Sequence, residues 1–369
     1  MSLTMYLAQV TGVTAVLLVL IRNQSWILQA QVSVWALATA VIATRFGVTG
    51  QLYFFSNDQF AHVLTVNILR DFVWLRDMDF ALKTMRLPYT LPAALLHEVG
   101  IEAALACKTV SLLCLLRVTN ELVSRDILIG WRETITRALL GGCTLIGTFF
   151  SALALRETMM MLLTTSFLRR EPVVQRLLTL ALLSLLRPHL AVCLAIGALI
   201  VEGHKRLCRP NQHSVFGVLA IVVLSSFVGW LLFSLLLSLS IERPLFGGHR
   251  WGIQPIIGIA SNYFGLQFLT VPPETTSLPL QSLLLLRFML FETVLIPCTF
   301  TLLIITRPHR VNHQTMLVLT SFAIYVGLVT NTDFNSFRQN IPFIPAIGLA
   351  IFAMTEQRLR KSKFAVMHS

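Results

Sequence analysis

The chain has 369 residues, 55% of them hydrophobic and only 12% charged, with a mean hydropathy of +0.74 and a formal net charge of +12. Repeated apolar runs near the roughly 20 residues that cross a bilayer exclude an ordinary soluble domain and predict an all-α, polytopic transmembrane helical bundle. In a soluble protein the basic balance would suggest a nucleic-acid partner; here the basic residues lie mostly between apolar runs, so topology accounts for them and no nucleic acid is expected.

In chain order the sequence predicts about 11 spans or part-spans, near residues 5–21, 27–47, 103–123, 138–155, 157–168, 173–186, 189–203, 215–240, 283–306, 314–330 and 341–356. The opening run has no basic start and no small-residue cleavage site, so it is expected to stay as the first span. Residues 48–102 are read as an outward loop that carries SNDQF (Ser56 to Phe60), LRDFVWLRDMDF (Leu69 to Phe80) and the Pro-punctuated RLPYTLP (Arg86 to Pro92). Its middle piece mixes Leu69, Phe72, Val73, Leu75 and Phe80 with charges, the pattern of an interfacial helix anchored by Trp74.

The stretch from Ala152 to Arg206 is the most informative. Its short apolar runs are interrupted by Arg156-Glu157, Arg169-Arg170-Glu171 and Arg187-Pro188-His189. Helices of ten to fifteen residues reach only about 15–22 Å, against a hydrocarbon core of about 30 Å. The outward breaks at Arg156 and Arg187 are therefore expected beneath the outer surface, where irregular backbone needs a cover of protein or water. A second outward loop, about 241–282, is rich in Gly and Pro and long enough for a lid, and a short outward segment NTDFNSFRQN runs from Asn331 to Asn340. The whole chain, 1–369, reads as one integral membrane domain, with its six cysteines as packing residues.

Each candidate for chemistry has a plainer reading beside it. Arg156, Arg187 and Arg338 stand at outward span ends; a guanidinium forks onto phosphate oxygens, or else snorkels to headgroups or pairs with Glu157 and Asp333. Asp58 follows Tyr53-Phe54-Phe55 and suits a general base or a ligand to a substrate hydroxyl, or an Asn-Asp turn or helix cap. Glu157 and His189 are the next acid-base candidates, with capping as the alternative for His189. Asp71, Asp77 and Asp79 leave a divalent metal open, although alternating Arg and Asp more often mark a solvated helix face. No nucleotide, redox or zinc-protease motif occurs, so no cofactor is expected.

This order of features resembles the bacterial integral-membrane glycan polymerases (O-antigen and exopolysaccharide polymerases) and related multi-span, lipid-sugar-dependent glycosyltransferases of the GT-C-like type. The residues that carry the resemblance are Phe55 to Phe60, Ala154-Leu155-Arg156-Glu157, Leu185-Leu186-Arg187-Pro188-His189, and Phe337-Arg338-Gln339-Asn340-Ile341-Pro342. Those enzymes usually carry the loop acid after the first span, whereas Asp58 follows the second. The resemblance implies sugar transfer at the outer face of the bacterial cytoplasmic membrane, from a polyprenyl-phosphate or polyprenyl-pyrophosphate-linked donor to a glycan acceptor. Asp58, Glu157 and His189 would be catalytic there, and Arg156, Arg187 and Arg338 would bind phosphate. The rival reading is a transporter or flippase for an anionic lipid or lipid-linked sugar, which also wants buried arginines beside broken helices. No inverted repeat supports it, and a noncatalytic scaffold leaves the buried charges without a role.

With the tail Arg358, Arg360, Lys361 and Lys363 inside, alternation of the spans assigns 17 of the 29 Lys and Arg residues to the cytoplasmic side and 12 to the outer side. The positive-inside rule then gives an N-out, C-in orientation. A reporter fused after Lys363 should behave as cytoplasmic, and one inserted between Ile241 and Gln281 as external. The opposite pattern in a fusion assay would invert the sidedness of every candidate above.

Overall fold

The computed structural model describes residues 2–48, 56–70, 86–123, 147–169, 172–207, 215–239, 311–329 and 341–350, with single positions 256, 259 and 304. Every regular element among the described residues is helical. In order these are α1 (Leu3–Leu20), α2 (Trp26–Phe46), α3 (Ser56–Arg70), α4 (Leu87–Glu98), α5 (Ala103–Val123), α6 (Glu157–Leu168), α7 (Val173–Leu186), α8 (Pro188–Leu207), α9 (Val215–Leu239) and α10 (His313–Val329). A 3-10 turn, Ile341–Phe343, leads into helical residues 344–350. Side-chain oxygens stand at several helix starts, where backbone N–H groups lack intrahelical acceptors. Ser2 accepts from Met5 N–H and Ser25 from Ile27 N–H, both at 3.3 Å, Glu102 from Leu105 N–H at 3.0 Å and Asn312 from Thr315 N–H at 2.8 Å.

Among the described residues four helices are long and apolar enough to cross a bilayer: Leu3–Leu20, Trp26–Phe46, Ala103–Leu122 and Val215–Leu232. The chain is thus an all-helical protein with membrane-spanning character. The elements expected at 157–168 and 173–186 are α6 and α7 with the same bounds, while most of 138–155 and 283–306 falls outside the described residues.

The segment 48–102, read from sequence as a loop, contains α3 and α4. In α3 the buried positions Gln59, His62, Val63, Val66 and Leu69 recur at helical spacing, so one face is committed to protein. Proline misleads in α4. Pro88 lies in the first turn, where its missing N–H costs nothing, and Pro92 removes only the bond to the Pro88 carbonyl. The expected interfacial helix around Trp74 lies outside the described residues.

The chain divides into two compact units. The first comprises Met1–Asp126, Cys143–Leu163 and Leu177–Pro188, the second Ile127–Gly142, Thr164–Arg176 and His189–Ser369. The centre of the first unit is α5: 83% of its apolar window is buried, against 17% of α1, and α2, α3 and α4 all pack on it. Inside that span lies a cation. Lys108 is fully buried and its ammonium donates to the Tyr6 hydroxyl at 3.0 Å and to the Val48 carbonyl at 3.1 Å, with the Tyr6 ring centroid 5.4 Å away.

In the second unit α9 packs along α10, which is buried from Thr315 to Val329. Two glycines set that contact: a Cβ on Gly229 would collide with the Ile324 carbonyl, and one on Gly327 with the Ser226 carbonyl. Lipid provides little hydrophobic drive between helices, so they associate where small residues let backbones touch. Gly327→Val should cost about 3 kcal/mol, because backbone cannot rotate aside as a side chain does. Gly12→Val, with nothing within 4 Å of the added carbon, should leave the melting midpoint in detergent unchanged. Equal midpoints for the two variants would remove the close contact from the account of this unit.

Candidate functional site

The break at Arg156 is built in the first unit from a short, fully buried turn. Ala152, Leu153, Ala154 and Leu155 have no exposed surface, and Ala154 adopts a left-handed backbone with φ 55°. A side chain in that conformation costs about 1–2 kcal/mol and persists only where its surroundings hold it. Two neighbouring helices do so: Ser111 of α5 donates to the Leu155 carbonyl at 2.7 Å, and His62 of α3 places Nδ1 3.1 Å from the Ala154 carbonyl. The Tyr89 hydroxyl of α4 lies 3.0 Å from Ser111 Oγ and donates to the Cys107 carbonyl at 3.1 Å, which ties α4 and α5 to the same turn.

Arg156 then starts α6, its carbonyl accepting from Met160 N–H at 3.1 Å, and Glu157 is the first helical residue, fully buried. The Arg156 side chain turns to the other break. Its Nη1 donates to the Leu186 carbonyl at 2.6 Å, at the last residue of α7, where helical acceptors lack donors and favour a cation. Arg187 follows, its N–H bonded to the Leu183 carbonyl at 2.7 Å, and Pro188 opens α8 at a position that needs no N–H. Arg156 and Arg187 are only 8% and 9% exposed, so both are enclosed by protein and neither snorkels to a headgroup layer. The two breaks that the sequence separates by thirty residues are joined in one unit by one guanidinium.

His62 has a second partner. Arg86 Nη1 lies 3.2 Å from His62 Nε2, and the imidazole packs edge-on against Tyr89 at 5.0 Å between centroids. A guanidinium can only donate and a carbonyl only accept, so Nδ1 carries the proton toward Ala154 and Nε2 accepts from Arg86. The ring is therefore neutral. Burial first, then the charges of Arg156 and Arg86, hold His62 down at about 4, against weaker support for the cation from the Ala154 carbonyl and Glu157. Arg86 itself has φ 49°, directly before α4. Among the described residues Arg86 and Ala154 are the two non-glycine residues with positive φ, and one imidazole touches both.

The remaining sequence candidates divide. Asp58 lies on α3, one helical turn before His62, and its side chain is outside the described residues. Arg338 and the Asp71 to Asp79 run also lie outside them. His189 belongs to the second unit, where it stacks on Tyr325 at 6.1 Å and 12°, and Tyr325 packs on Phe343 at 5.2 Å. Among the described residues no three His, Cys, Asp or Glu side chains stand together as metal ligands. Sequence reasoning missed His62, Arg86, Tyr89 and Ser111. The spacing of four between Asp58 and His62 was the available signal for the first, once the segment is read as a helix. No family model, curated protein or solved structure matches the chain.

The neutral His62 gives a signed pH effect. Its folded value of about 4 lies below the ordinary histidine value of 6.5, so the unfolded chain binds a proton that the folded chain refuses as pH falls between them. Stability should drop through that window by about 1 kcal/mol or slightly more per pH unit. His62→Gln should flatten this slope in melting scans from pH 7 to pH 4.5, whatever its effect at neutral pH. A slope identical to wild type would mean the imidazole is not held neutral.

Proposed function

We propose that this chain is a bacterial membrane glycosyltransferase or polysaccharide polymerase. It transfers sugar units from a polyprenyl-(pyro)phosphate-linked donor to a glycan acceptor at the outer face of the cytoplasmic membrane. The observation that carries the reading is the Arg156 to Leu186 hydrogen bond, which joins the Arg156 break to the helix end that carries Arg187. Ionisable residues enclosed in a membrane protein are expensive and mark functional sites. Two guanidiniums at paired helix breaks suit a leaving group whose negative charge grows during the reaction.

In this scheme the acceptor hydroxyl oxygen attacks the anomeric carbon as the bond from that carbon to the donor phosphate oxygen breaks. The hydroxyl proton passes to the Asp58 carboxylate, and the lipid phosphate leaves as an anion stabilised by Arg187 and Arg156. Glu157 is an acid-base group of second rank in the same unit. The N-out, C-in orientation puts this chemistry on the outer side.

The test uses purified protein in liposomes with a polyprenyl-pyrophosphate-linked glycan. Asp58→Asn should still bind the donor and lose transfer by at least about a hundredfold, the usual worth of a positioned base. Arg187→Lys should transfer nearly as poorly as Arg187→Ala, because an ammonium cannot fork onto phosphate. Translocation of the lipid-linked glycan by wild type, with no new glycosidic bond for any acceptor supplied, would establish the flippase reading instead.

A further inference from the structure

We infer that the Gln59 carboxamide binds a hydroxyl of the glycan acceptor, a role that rests on the sugar transfer proposed above and adds an acceptor ligand one residue from Asp58. Gln59 is only 1% exposed, and neither its Oε1 nor its Nε2 has a hydrogen-bond partner. Among the described residues it is the one side chain with two such atoms. The other buried amide among them, Gln31, donates through Nε2 to Thr148 Oγ1 at 3.2 Å. A buried polar group without a partner has lost its bonds to water and gained none, and such groups are rare in folded interiors. Methionine or leucine fills the same space without that loss, so an amide in this place calls for a partner from outside the chain.

Gln59 stands three residues before His62 on the buried face of α3, and side chains at that spacing are neighbours on a helix. His62 in turn lies against the Ala154 carbonyl, two residues before Arg156. The helix thus carries the amide to the turn that holds the proposed site, with Asp58 on the same helical turn. The chemistry of an amide selects the partner: it offers two donors and one acceptor. The donor lipid's phosphates only accept, so they would leave Oε1 unmet, and its apolar chain meets neither end. A hydroxyl both gives and takes, and two adjacent hydroxyls of one sugar answer both ends at once. In the structure the amide is closed off, so the glycan reaches it as α3 lifts from α4 and α5, on which it packs. A contact that leaves two polar atoms unbonded resists that opening less than a satisfied one does.

The experiment compares wild type, Gln59→Met and Gln59→Asn as full-length protein in liposomes. The donor is a polyprenyl-pyrophosphate-linked glycan and the acceptor the same glycan freed from its lipid. Gln59→Met keeps the length of the side chain and removes both polar atoms. Its melting midpoint in detergent should rise, because two unbonded groups are gone, while its KM for the free glycan rises and its direct binding of that glycan weakens, each at least about tenfold. Binding of polyprenyl pyrophosphate, which carries no sugar, should stay at the wild-type level. Gln59→Asn retains an amide on a shorter arm and should fall between the two in acceptor binding. A raised midpoint with wild-type acceptor binding and KM would overturn the inference and leave the proposed function standing, since the amide would then hold an enclosed water only. A lowered midpoint would overturn it too, because the amide would be bonded within the folded chain. Glycan binding that is lost in Gln59→Met, from a wild type that forms no glycosidic bond, would keep the sugar contact and sink the transferase reading instead.

Discussion

Three carbonyls in irregular buried backbone, those of Ala154, Leu155 and Leu186, have no helical partner, and inside a membrane protein water is not at hand to supply one. Leaving such a group unpaired costs about 1–3 kcal/mol, and more in hydrocarbon. Each is met by a side chain from another part of the first unit: His62, Ser111 and Arg156. The broken helices in mid-chain exist because these donors exist. The same bonds fix where Arg156 and Arg187 stand, so one requirement of backbone satisfaction produces both the fold of the turn and the placement of the two arginines.

The helix that makes this possible is α5. It crosses the first unit as its most buried span and carries Ser111 toward the turn one helical turn from Lys108. Lys108 follows the same logic with a full charge. Its ammonium has two neutral oxygens and an aromatic face as partners, which draw α1 and the end of α2 onto α5. A buried cation is weak evidence for stability, since apolar replacements often do as well, but losing one partner of such a group is costly. Here its value is in register: the ammonium can be satisfied only when α1, α2 and α5 are aligned.

The second unit solves a different problem by different means. Its core contact, α9 against α10, is made by backbone touching backbone at Gly229 and Gly327, with apolar residues filling the remainder. Shape sets the register of that contact. His189 stacks within this unit on Tyr325, so its ring is fixed by aromatic packing as well as by its place behind Pro188.

Much of this was readable from the residues alone. Apolar length and low charge determined the membrane class, because hydrocarbon tolerates little else. The interruptions at Arg156 and Arg187 bounded α6 and α7 to the residue, because charge and proline are local signals. The helices α3 and α4 were not readable as such: Pro88, Pro92 and Ser56-Asn57-Asp58 carry turn chemistry, and only burial against α5 outweighs it. The partners of the two breaks were equally hidden. His62 meets Ala154 across 92 positions and Arg156 meets Leu186 across 30, and no local pattern encodes a contact at such separation. The sequence by itself determined that charged breaks occur within apolar helices. The tertiary structure decided which side chains satisfy the exposed backbone there, since that depends on distant helices converging on one turn.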